Sequence, residues 1–225
     1  MTRELVIAAY DKDYNWINKL DSEVKVTVYR KGNVEKLTGE IILSPNKGRC
    51  VHTFFNHIYQ NYDNLSDYTF FAQDYPFDHW ENIIQVINEN DIDFYKIACQ
   101  LNIGGYYGYH YNTITHPGPK GGIMWKLSPS KQHGNGNVLV CNSNGSPQDS
   151  NPQINVDSYW NLFFSDPKPN EYEFIPGGHF MVTKDHVRLR SKEFYKQIVD
   201  FLLEKEIAPW IIERLECYIF NPKIS

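Results

Sequence analysis

Cysteine is scarce and scattered in this sequence. Cys50, Cys99, Cys141 and Cys217 lie far apart and form no C-x-x-C pair, which argues against a zinc site and a dense disulfide framework and makes a reducing compartment the expected home. The apolar run near the N-terminus, Leu5 to Ala9, is far too short for a secretory leader or a membrane span, so a soluble, cytoplasmic protein is expected. An excess of positive charge is missing too. With 22 Lys and Arg against 27 Asp and Glu, the net charge is -5, and a nucleic-acid partner is disfavoured because neutralising phosphates takes a basic stripe. No P-loop, no G-x-G-x-x-G after the first apolar run and no G-x-S-x-G occurs, which counts against kinase-like, Rossmann dehydrogenase and α/β-hydrolase chemistry. Nor does a repeat or a linker rich in Pro, Gly or Ser divide the 225 residues. They are expected to form a single domain, 1–225.

What the sequence does hold is aromatic side chains and apolar runs that end in polar loops. Sixteen Tyr and five Trp supply flat apolar faces with a polar tip, suited to sugars and bases as well as to a core. Leu5 to Tyr10 reads as a buried strand stopping at Asp11-Lys12-Asp13, and Val24 to Tyr29 as a second, ending at Lys31-Gly32-Asn33. Arg49 to Tyr62 has helical spacing, with its start near Gly48, so free N–H groups and Arg49 face a candidate phosphate position. Tyr68 to Ala72 is a further strand, followed by a helix over Trp80 to Glu89. Residues 104–151 lose clear periodicity and are expected to hold short elements on the acceptor side. Later come a short helix from Asp157 to Phe164, a strand around Phe180 to Val182 with Thr183 as a helix cap, a helix from Ser191 to about Lys205, and another from Trp210 to Phe220 behind Pro209. The order of elements predicts an α/β fold with an open, mostly parallel sheet flanked by helices. Its ligand should then sit beyond the carboxyl ends of the strands.

The acidic residues most suited to chemistry follow the Tyr68 strand. Asp74 and Asp78, with His79 adjacent, provide the hard oxygen and imidazole donors that a divalent cation beside a diphosphate needs. Transfer to an acceptor hydroxyl also calls for a carboxylate base. Glu213, in the apolar setting of Trp210, Ile211, Ile212 and Leu215, is the first candidate and Asp157 a second; an ion pair between Glu213 and Arg214 is the bland alternative. His52 and His57, five apart on one helix, are expected in the core rather than on a metal. His179, after the pair Gly177-Gly178, is expected to line the site.

Several segments carry a resemblance in the same order along the chain. They are Leu5 to Tyr10 with Asp13 and Trp16, Val28 to Gly32, Asn46 to Arg49 with His52-Thr53, Asn61 to Leu65, Phe70 to Gln73 with Pro76 to His79, Gly177 to Val182, and Pro209 to Leu215 with Tyr218 to Phe220. Together the chain resembles a family of small proteins of fungi, bacteria and large viruses that is similar to glycosyltransferases of the GT-A type. The resemblance covers roughly residues 4–99 and 157–221. It implies a GT-A-like fold and transfer of a sugar from a nucleotide diphosphate donor, with UDP preferred, to a glycan or glycoprotein, assisted by Mn or Mg. Carried onto this chain, it implies metal contact at Asp78 with Asp74 or His79. Donor contact falls to Tyr10, Asp13, Lys31, Arg49, Gln73, Gly177, Gly178 and His179. A plain Asp-x-Asp is absent after Gln73. Two other classes compete: a carbohydrate-binding module without catalysis, and a metal-dependent phosphoester hydrolase using Asp74, Asp78 and His79.

Overall fold

The run Arg-Glu-Leu-Val-Ile-Ala-Ala makes the first strand, and its apolar side chains have no polar alternation because both faces are covered. Val6 and Ala8 join one core cluster; Leu5, Ile7 and Ala9 join a second on the opposite face. Such doubly buried strands are the mark of a sheet with helices on both sides. The computed structural model describes residues 1–31, 39–43, 45–78, 80–89, 101–103, 106–108, 125–127, 137–138, 154–169, 172–174 and 179–220.

In chain order, β1 (Arg3–Ala9), β2 (Val24–Arg30) and β3 (Ile41–Ile42) precede α1 (Arg49–Asn61), and β4 (Tyr68–Gln73) precedes α2 (Ile83–Asn88). Short strands follow: β5 (Leu101–Ile103), β6 (Tyr106–Gly108), β7 (Trp125–Leu127), β8 (Asn137–Val138) and β9 (Ile154–Asn155). The last third holds α3 (Asp157–Phe163), β10 (Tyr172–Phe174), β11 (Phe180–Thr183), α4 (Lys184–Val187), α5 (Lys192–Glu204) and α6 (Ala208–Phe220). The main sheet has seven strands in the order β3-β2-β1-β4-β11-β6-β5. β1, β2, β3 and β4 run parallel, β11 is antiparallel to β4, and β6 and β5 continue antiparallel. Five of the seven strands therefore point the same way, and the fold is α/β with a mixed, mostly parallel sheet. β7 pairs with β10 and β8 with β9 as separate two-stranded ribbons, so the weakly patterned middle of the chain does hold short elements.

One face of the sheet carries α1, α3, α5 and α6, with Phe54, Trp160, Tyr195, Tyr218 and Phe220 among the buried side chains. The other carries Trp16, Trp80 and α2. On β2 the expected alternation fails at Tyr29, which is buried although it lies on the face opposite Val28; α1 covers that face, and the Tyr29 hydroxyl meets His57 Nδ1 at 3.1 Å. His52 and His57 are core residues, 2% and 1% exposed. The helix expected from Trp80 starts only at Ile83, preceded by turns in which the Trp80 amide donates to the Pro76 carbonyl and the Ile83 amide to the Trp80 carbonyl. Thr183 caps α4 as expected, its hydroxyl accepting from the His186 amide, and Ser191 caps α5 in the same way. Pro209 stands inside the first turn of α6, where its missing N–H costs nothing. Among the described residues, no helix is long and apolar enough to cross a membrane.

Candidate functional site

The chain leaves β1 toward β2 and β3 on one side and returns to β4 on the other, so the connections part above the carboxyl ends of β1 and β4. In open α/β sheets that parting makes a crevice where ligands bind. A cavity of about 860 Å³ occupies this place, within the range of small-molecule sites. Its floor is the ends of β1 and β4 with the first turn of α1, and its rim is the Asn46–Gly48 loop, the end of α5 and the start of α6.

The loop after β1 is held by one carboxylate. Asp74 is 6% exposed, and its Oδ2 accepts from the amides of Tyr10, Asp11 and Lys12 at 2.8, 3.1 and 2.9 Å while Oδ1 accepts from the Tyr75 amide at 3.0 Å. The Trp16 indole donates to the Asp74 carbonyl at 2.7 Å. Three consecutive N–H groups focused on one buried carboxylate oxygen fix a tight turn in an otherwise exposed loop. Arg30, also buried, donates to the Tyr10 carbonyl and pairs with Glu40 at 2.5 Å.

A second buried charge organises the α1 side. Lys31 Nζ donates to the carbonyls of Lys47 and Arg49 at 2.5 and 2.7 Å and lies 3.4 Å from His52 Nδ1. Burial pushes the Lys31 ammonium down to about 8 and the His52 imidazole down to about 4, the nearby Lys31 charge adding to the latter. The strap so fixed contains Gly48 at φ 70 and Arg49 at φ 53. A Cβ at Gly48 would stand 2.6 Å from the His52 Cβ and 3.0 Å from the Leu202 carbonyl oxygen, so only glycine fits between α1 and α5. Arg49, a left-handed residue without glycine's freedom, is conformationally costly. Its guanidinium lies 5.2 Å from the centre of the Trp210 ring, a cation–π contact across the rim.

The residues expected from sequence divide into three groups. Tyr10, Lys31, Arg49, Gln73, Asp74 and Asp78 all line the cavity. Asp13 does not; its carboxylate folds back on Asn15, accepting from the amide at 2.8 Å and from the side chain at 2.9 Å, which caps a local turn. Asp157 pairs instead with Lys168 beside α3. Glu213 is not among the lining residues and pairs with Arg214 at 3.0 Å; the Cys50 thiol, which does line the cavity, is pushed up to about 11 by burial, with smaller contributions from the charges of Glu213 and Glu216. His179 is buried immediately before β11, and the pairing of Phe180 with Phe71 places it opposite the cavity end of β4. His79, Gly177 and Gly178 lie outside the described residues. Sequence reading overlooked Lys47, Cys50, Tyr75, Trp210 and the α5 end from Leu202 to Glu206 as cavity residues. Lys47, Cys50 and Tyr75 are sequence neighbours of Arg49 and Asp74, while Trp210 and the end of α5 arrive by helix packing and carry no local motif.

As a cation site the cavity is thin. Asp74 already accepts four hydrogen bonds, Asp78 is exposed, and among the described residues no group of three or more His, Cys, Asp and Glu is placed to hold a metal.

A family model described as protein of unknown function (DUF3431) matches residues 5–223. The chain belongs to this family. The match takes in every residue of the cavity and the main sheet except Arg3 and Glu4 at the start of β1. No curated protein and no solved structure matches the chain.

Proposed function

We propose that this DUF3431 protein is a glycosyltransferase that takes a sugar from a nucleotide diphosphate donor, UDP by preference, and passes it to a hydroxyl of a glycan or glycoprotein. The observation that carries the reading is the crevice above β1 and β4, bounded by the first turn of α1 with Lys47 and Arg49. A helix start with cationic side chains receives a diphosphate, and the exposed rings of Tyr10 and Tyr75 offer faces for a base or sugar. The donor then lies with its phosphates toward α1 and its nucleoside toward the Tyr10 loop.

In an inverting transfer the acceptor oxygen bonds to the anomeric carbon, the bond from that carbon to the diphosphate oxygen breaks, and the hydroxyl proton passes to a carboxylate. Glu213, on α6 one turn beyond the lining residue Trp210 and paired with Arg214, is the carboxylate we assign to that proton. Asp157, at α3 and paired with Lys168, is not given this role. The Mn or Mg that the resemblance implies is poorly matched by Asp74, whose oxygens are engaged, and no step is routed through it.

Incubation with a panel of nucleotide sugars, with and without Mn, tests the reading. At one-hundredfold excess over Kd, UDP should add about 2.7 kcal/mol to the native state and raise Tm by about 5 °C or more, and one UDP-sugar should be hydrolysed or transferred. A carbohydrate-binding module would bind glycan with no nucleotide effect, and a phosphoester hydrolase would cleave simple phosphoesters without an acceptor. Either outcome, or no shift with any nucleoside diphosphate, sinks the proposal.

A further inference from the structure

The cavity is lined by charges of both signs, with Asp11 and Lys12 adjacent on the loop after β1 and a run of cationic side chains at the opening of α1. Lys47 and Arg49 stand on the strap that opens α1, with the Lys31 ammonium directly behind them. Asp78 follows β4 on the flank of the other helical layer, where its neighbours pack: Phe77 lies 5.6 Å from Trp16 and Trp80 6.5 Å from Phe70. At the exposed rim Glu204 and Glu206 flank Lys205. Arg49 makes no ion pair among the described residues; it rests on Trp210, an apolar ring that holds the guanidinium in place without neutralising it.

Of the two carboxylates after β4, Asp78 is exposed and has no group of His, Cys, Asp and Glu gathered around it among the described residues, and Asp74 is engaged elsewhere. A metal that bridges protein and diphosphate needs carboxylate oxygens with free lone pairs turned toward the ligand. Asp74 spends Oδ2 on three amides and Oδ1 on a fourth, and a cation drawing on it would compete with the bonds that shape the cavity floor.

We infer that, resting on the nucleotide reading above, the diphosphate in this cavity is neutralised by Arg49 and Lys47 at the start of α1, and that binding requires no divalent cation. The guanidinium fork supplies paired N–H donors to phosphate oxygens, and Lys31 holds the strap that presents it. Asp74 acts as the anchor of the 10–12 turn rather than as a ligand to a metal.

The test is calorimetric titration of the full chain with UDP in EDTA and again in Mn. The expected result is a Kd that differs less than threefold between the two, with Arg49→Ala weakening UDP at least tenfold in both and Arg49→Lys recovering part of the loss. Binding in Mn but not in EDTA overturns the inference and leaves the nucleotide reading standing. Binding in neither, by a protein whose thermal transition shows it folded, overturns both. An Arg49→Ala protein that binds UDP as well as the parent removes the assignment to the α1 strap.

Discussion

Replacing Asp74 with Ala should lower the stability of the protein by about 3 kcal/mol or more, equivalent to a fall in Tm of roughly 6–12 °C. The reason lies in how many donors lose their acceptor at once. The amides of Tyr10, Asp11, Lys12 and Tyr75 all end on this carboxylate, and four such bonds, half-open to water that can partly replace the acceptor, are worth about 0.5–1.5 kcal/mol each. Asp74→Asn should recover only part of the loss, because an amide oxygen accepts more weakly than a carboxylate. If Asp74 were chiefly a metal ligand, the metal-free protein would be nearly indifferent to these changes, and thermal melts in EDTA would reveal it. The same variants should abolish nucleotide binding, since the turn they release forms one wall of the cavity.

The second large effect is an acid transition governed by two core histidines. His57 is held down to about 4 by burial, as is His52, whose lowering is reinforced by Lys31. In the unfolded chain both titrate near 6.5. A folded value below the unfolded one means that the unfolded state binds more protons between these limits. Their contribution is fully present above about 6.5 and is lost as the pH falls toward 4. Each histidine then accounts for roughly 3 kcal/mol over that window, by 1.36 kcal/mol per pH unit. Urea midpoints measured between pH 7 and 4.5 should fall steeply, and the double variant His52→Asn, His57→Gln should flatten the slope even if its starting stability is lower. A midpoint independent of pH down to 5 would contradict the assignment.

The sheet was legible in the sequence because its strands are unusually plain. Leu5 to Ala9 and Phe70 to Ala72 are continuous apolar runs, and both ends meet polar loops, so the strands, their direction and the site above them follow from pattern alone. Lys31, Arg49, Asp74 and Asp78 are legible for the same reason, since each follows a strand or opens a helix, whereas Tyr10 and Gln73 are implied by the resemblance. The roles of two of those four are not. Lys31 and Asp74 look like ligand contacts in a string of letters, but each is turned onto backbone partners that only the fold supplies. Trp210 and the end of α5 reach the cavity through the packing of α1 against α5 and α6, a contact between segments some 150 residues apart that carries no spacing signal. Glu213 shows both sides of the problem. Its ion pair with Arg214 could be suspected from adjacency, while the influence of its charge on the Cys50 thiol depends on how α6 packs on α1.

Whether a nucleotide diphosphate lies in the crevice above the carboxyl ends of β1 and β4 is measured most directly by the crystal structure of the protein with UDP. The account predicts phosphate oxygens within hydrogen-bonding distance of the Arg49 guanidinium and the first-turn amides of α1, with the uracil beside Tyr10. A diphosphate bound elsewhere on the molecule, with the space between Tyr10, Arg49 and Trp210 left to solvent, would contradict it.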